Sequence, residues 1–77
     1  SYTMEFSAKM NRVADGDKDK FQDIIDELKD VNGKLQELLV KANKEERDEL
    51  LDIQDEGDKL SNRADALIAR GRALLHD

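Results

Sequence analysis

From Phe21 onward apolar residues return at every third and fourth position: Phe21, Ile24, Leu28, Val31, Leu35, Leu38 and Ala42. These are the a and d positions of a heptad, which share one face of a helix. A second run follows the same rule in a different phase, through Leu50, Ile53, Gly57, Leu60, Ala64, Leu67, Gly71 and Leu74. No charged residue occupies any of these fifteen positions. Ile25 and Leu39 widen the first stripe on one side, as Ile68 and Leu75 widen the second. The pattern predicts two long helices, over 17–42 and 44–75, each with a single apolar face.

Between the runs, Ala42 to Leu50 is eight residues where a heptad needs seven, and the gap holds the charged block 44–49. Two readings compete. In one, Asn43 ends the first helix in the left-handed conformation, and Asn43-x-x-Glu46 approximates a capping box for the next helix. In the other, a continuous helix carries a stutter, because Leu39 to Leu50 is eleven residues, and Glu46 then points into the seam. The turn is preferred because it keeps that charge out of the apolar stripe. It predicts arms of about 45 Å, against about 90 Å for the unbroken helix.

Upstream, Asp15-Gly16-Asp17 reads as a helix end followed by an N-cap. A short first helix is expected before it, with Tyr2, Phe6, Met10 and Val13 on one face. Asn32-Gly33 interrupts nothing, since Val31 and Leu35 keep step across it and Gly33 falls on the outer face. Met4-Glu5-Phe6 has the form of a start codon with a cloning scar, so residues 1–16 are expected to be scar plus short helix and 17–77 the hairpin. The final Leu74-Leu75-His76-Asp77 stops while the apolar pattern is still running, which favours a piece of a larger protein.

Charge placement agrees with this map. Residues 45–58 hold eight acids and one base, whereas Lys59, Arg63, Arg70 and Arg72 dominate the remainder of the third helix. Acid first and base last complements the helix dipole. Asp30 with Lys34, Glu37 with Lys41, and Asp55 with Lys59 form i,i+4 pairs in the favourable order. Over 77 residues, thirteen basic against nineteen acidic side chains give a net charge of -6. That balance repels phosphate backbones and anionic membrane surfaces. Nucleic acid is therefore not an expected partner, and no apolar run has the length of a membrane span. A soluble chain is expected, cytoplasmic rather than secreted.

Gly57, Ala64 and Gly71 recur at a, while Ile53, Leu60, Leu67 and Leu74 fill d. Small residues let helix backbones approach and leave holes for large knobs. Phe21, Leu28 and Leu35 of the preceding helix are the expected knobs, in an antiparallel pairing. A bare two-helix hairpin would leave Ile25, Leu39, Ile68 and Leu75 in water, and so thin a core is marginal alone. A further layer is required, from the first helix, a second copy or a partner's helix. The seam resembles that of the Rop-type antiparallel hairpin dimers in architecture, while the acidic balance argues against their RNA binding. The expected fold is thus an all-α, coiled-coil-like antiparallel hairpin with a short N-terminal helix, completing a bundle by oligomerisation or partner binding. The expected interface is Leu28, Leu35, Leu38, Ile53, Leu60, Ala64, Leu67, Ile68 and Leu74.

Candidate chemistry is sparse. The stretch from Asp15 to Asp26 resembles an EF-hand calcium loop, with Asp at positions 1, 3, 5, 9 and 12, but Lys20 stands where the turn needs Gly and Gln22 where an apolar residue belongs. The resemblance implies a calcium-responsive switch. Gly57-Asp58-Lys59-Leu60-Ser61-Asn62-Arg63-Ala64-Asp65-Ala66-Leu67 resembles stretches of SNARE-type fusion helices, without a Gln or Arg at a seam position. There is no Cys, and the one His, His76, stands beside the chain end. No phosphate-binding Gly loop and no nucleophile with base and acid are present, so no catalytic residue, cofactor or metal ligand is expected. What remains is a non-catalytic protein-interaction or assembly module that associates through its seam. A small acidic chaperone or adaptor sheathing a partner helix is the alternative within that class.

Overall fold

In the computed structural model, which describes residues 1–44 and 47–76, the chain is an all-α helical hairpin. α1 spans Tyr2–Ala8, α2 spans Lys18–Ala42 and α3 spans Arg47–Leu74, with single 3-10 turns at Met10–Arg12 and Asp15–Asp17 between α1 and α2. The long helices pack against each other over most of their length, and the molecule measures 48 × 17 × 16 Å. An unbroken helix would be about twice as long. α2 ends as expected at Ala42, but not through a left-handed residue. Asn43 stays helical at φ -70°, ψ -14°, with its N–H donating to the Leu39 carbonyl at 3.3 Å. Among the described residues none has positive φ. Glu46, on which the capping box and the stutter turned, lies outside the described residues. At the start of α2, Asp17 occupies the N-cap position without a side-chain cap, the 3-10 turn delivering the chain instead.

Burial is concentrated at one end, which we call the base. Phe6, Val13, Phe21, Ile24, Ile25, Leu28, Val31 and Leu67 form the buried cluster, while toward the end where α2 gives way to α3, the tip, no side chain among the described residues is fully covered. The difference is α1. Phe6, 1% exposed, inserts between the long helices, its ring 5.2 Å from that of Phe21 and 6.0 Å from that of Tyr2. All three aromatic residues of the chain therefore meet in one cluster, Tyr2 edge-on to Phe6 and Phe21 tilted against it. Whatever the origin of residues 1–6, Phe6 is the centre of the fold. Val13 bridges to Leu75, and the His76 N–H donates to the Arg12 carbonyl at 2.9 Å, so both ends of the chain close the base.

One expectation is made specific here and another changes. Ile25, which a bare two-helix hairpin would leave in water, is 1% exposed, because the further layer at the base is α1 with the turn after it, covering the flank where Ile68 and Leu75 also pack. The notch at Gly71, expected to receive a knob from the preceding helix, receives Phe6 of α1. A Cβ on Gly71 would lie 2.3 Å from Cε2 and 2.8 Å from Cζ of that ring. Gly57, the same heptad position two repeats toward the tip, meets only Leu38 Cδ1 at 4.0 Å.

The two glycines should respond oppositely to alanine. Gly57→Ala adds a methyl without a clash and gains about 1 kcal/mol of helix propensity. Gly71→Ala gains the same propensity but must displace a packed ring, an overpacking cost of about 1–3 kcal/mol. Thermal melts should show Gly57→Ala raised by several degrees and Gly71→Ala lowered or unchanged. Two equal increases would mean that Phe6 is not held in the notch.

Candidate partner-docking groove

The nine expected interface residues divide by position along the hairpin. Leu28 and Leu67, 2% and 0% exposed, lie inside the chain's own core, where no partner reaches them without opening the hairpin. Leu60, Ala64, Ile68 and Leu74 are partly buried against that core. Leu35 also packs against the core and, with Leu38 and Ile53, lines a groove of about 590 Å³ near the tip. Leu39, Ala42 and Gly57 complete its apolar floor and walls, with Asn32, Gln36, Gln54 and Asp58 along its edges. Leu39 is 61% exposed, and Leu51, one heptad before Asp58, is 66% exposed. The groove is an open trough between two helices, a shape that fits the side of another helix better than an enclosed small molecule.

The two edges of the hairpin differ in chemistry. The positions preceding a, called g, are Lys20, Glu27, Lys34 and Lys41 on α2 and Glu49, Glu56, Arg63 and Arg70 on α3. All are charged. The positions four residues after a, called e, are Ile25, Asn32 and Leu39 on α2 and Gln54, Ser61, Ile68 and Leu75 on α3. None is charged. In an antiparallel pair g faces g and e faces e, so one edge is ionic and the other neutral. On the ionic edge one nitrogen of Arg63 donates to both Glu27 carboxylate oxygens, at 2.6 and 2.7 Å. Lys41 shares a surface hollow with Glu49, Asp52 and Glu56, and Arg70 shares another with Asp23 and Glu27. The neutral edge is where α1 sits at the base and where the groove opens at the tip.

Cross-element partners of the basic residues were not part of the expectation drawn from the dipole. Besides Arg63, Arg72 donates to the Tyr2 hydroxyl at 2.7 Å, with its guanidinium carbon 5.1 Å from the ring centroid. Of the expected i,i+4 pairs, Asp30 with Lys34 closes at 3.3 Å. Among the described residues no polar or charged side chain is buried. The contrast of charged g with neutral e is the sequence signal that would have located both the zipped and the open edge.

The EF-hand resemblance does not survive in the geometry. α2 begins at Lys18, so Asp19, Asp23 and Asp26 are strung along about two turns of one helix face instead of being wrapped by a loop around one point. Gln22 donates to Asp26 at 3.0 Å and Lys18 pairs with Asp15 at 3.3 Å. Among the described residues no group of acids or His is arranged to hold a metal. Of the SNARE-like stretch, 57–67, the seam residues Leu60, Ala64 and Leu67 are turned toward the hairpin's own core, Leu67 fully buried, while Asp58, Lys59, Ser61, Asn62, Arg63 and Asp65 are exposed. Among the described residues no helix is long and apolar enough to cross a membrane.

No family model, curated protein or solved structure matches the chain.

Two measurements check this picture. Leu39→Ser removes an exposed apolar side chain and should alter stability by no more than about 0.5 kcal/mol, whereas Phe6→Ala should cost about 3–5 kcal/mol, both read from denaturant melts. Millimolar calcium should leave the melting temperature and helicity unchanged, and a rise in either would restore the calcium-switch reading.

Proposed function

We propose that the chain is a non-catalytic interaction module that receives an apolar helix, from a partner or from another copy, in the groove at the tip. The observation that carries this reading is the exposure of Leu39 in a groove floored by Leu35, Leu38 and Ile53, on the same neutral edge that α1 covers at the base. Exposed apolar side chains grouped on one face are the usual mark of an interaction surface. The interface is thereby narrowed from the whole seam to its tip half. The small acidic chaperone or adaptor role belongs to the same reading, since it names the use of the groove rather than a different surface.

Sedimentation over a wide concentration range, together with selection from a library of amphipathic helical peptides, tests the proposal. Association with itself or with selected peptides should be lost in Leu39→Asp, which leaves the base core untouched. Loss of about 1–3 kcal/mol of binding is expected from a charge placed in an apolar contact. A chain that stays monomeric throughout and yields no peptide sensitive to Leu39→Asp would overturn the proposal.

A further inference from the structure

A shift of two heptads along the hairpin carries the seat of Phe6 onto the groove. On α3 it takes Gly71 to Gly57, and on α2 it takes Phe21 to Leu35 and Ile25 to Leu39. At the base those three positions hold an aromatic ring dropped into a glycine notch. At the tip the equivalent notch is open to the groove, with only Leu38 Cδ1 within 4 Å of a Cβ built on Gly57. The tip therefore presents a second copy of a seat whose occupant is known at the base.

The charge beside the two seats is opposite. The residue after the glycine is Arg72 at the base, which donates to the hydroxyl of the occupant's Tyr2. At the tip it is Asp58, an acceptor, in the groove wall. From Asp48 to Asp58 α3 carries six acids and no base, all of them exposed. An occupant of the tip seat meets acceptors where the occupant of the base seat meets a donor. A second copy of this chain, net -6 and with the same acidic segment, would bring like charges together there.

We infer that the tip groove is a docking site for a short basic amphipathic helix of another protein, one that sets an aromatic side chain into the Gly57 notch and places Lys or Arg against Asp58 and the acidic start of α3. The inference rests on the reading of the groove as a docking surface and adds the identity of what docks. The apolar knob supplies affinity, and the surrounding cations supply selectivity and a salt-dependent association rate.

The probe is a synthetic helical peptide of about four turns, with Leu, Phe and Leu at i, i+4 and i+7 and Lys on its flanks. Its twins carry Glu for every Lys, or Ala for the Phe. Binding to the full chain is followed by calorimetry and by amide chemical shifts. The Lys peptide should bind one to one, shifting the amides of Leu35, Leu39, Ile53 and Gly57, with both twins weaker by roughly tenfold or more at low salt. Gly57→Met fills the notch with a good helix former, and it should abolish binding while the melting temperature holds or rises. Equal binding of the Lys and Glu peptides, retained binding in Gly57→Met, or shifts outside the groove would each overturn the inference. So would a dimer whose dilution shifts the groove amides, because the groove would then belong to a second copy. In that case, and equally if library-selected peptides bind through Leu39 without cations or an aromatic knob, the interaction-module proposal stands and only the identity of its partner falls.

Discussion

The ring of Phe6 in the notch over Gly71 is the contact on which the rest of the fold depends. Two amphipathic helices can cover one stripe each, and their flanks remain wet. Phe6 turns the base into a three-layer core: it packs against Phe21 and brings with it the segment that covers Ile25 and packs on Ile68 and Leu75. Burial of such a side chain is worth about 1.5–3 kcal/mol, with a further increment of about 0.5–1.5 kcal/mol for each well-placed aromatic pair. Only glycine at position 71 permits the approach, since a Cβ there would stand inside the ring's van der Waals envelope. The Tyr2 hydroxyl and Arg72 fix the same helix from the solvent side.

The ionic edge does a different task. Each of its pairs is exposed, Glu27 and Arg63 included, and such pairs contribute at most about 1 kcal/mol. Their value is in register. With Glu27 opposite Arg63, steps of seven place Lys34 opposite Glu56 and Lys41 opposite Glu49, leaving Lys20 and Arg70 as the one like-charged combination. A slip of one heptad that set Glu27 opposite Glu56 would also set Lys20 opposite Arg63, doubling the repulsions and losing two of the three attractions. The opposite slip keeps two attractions and one repulsion, one attraction fewer than the observed alignment, so the edge favours, and the aromatic seat completes, the register in which Gly71 comes level with Phe21.

The two long helices, the turn after Ala42 and the antiparallel pairing were legible from apolar spacing, because seam burial is periodic and the period survives folding. The flank residues Ile25, Ile68 and Leu75 called for a further layer, and apolar spacing alone does not choose between the first helix, a second copy and a partner's helix as its source. The helix that covers them is centred on Phe6, 19 to 69 residues away in sequence, and no local pattern announces such a contact. The small residues at 57, 64 and 71 were correctly singled out, but composition alone could not say whether a knob would come from α2, α1 or outside. The interface residues were drawn from the whole seam for the same reason: a heptad marks what can be buried, not what buries it. Leu28 and Leu67 are covered from within, while Leu35, Leu38 and Ile53 are not fully so.

The open half follows from a mismatch of lengths. α1 is 7 residues, about 10 Å of helix, whereas α2 is 25 residues, about 38 Å, so the filler ends long before the slot does. A chain adapted only to its own stability would carry polar residues at the uncovered positions, as it does at Asn32, Gln54 and Ser61 on the same edge. Leu39 and Leu51 break that rule in the one region where α3 is uniformly acidic. Such a combination is tolerable in water because like charges hold separate copies apart while the apolar trough between them stays uncovered. The same field favours cations over anions at the mouth of the groove, so the feature that keeps the free chain from sticking to itself also selects what is admitted.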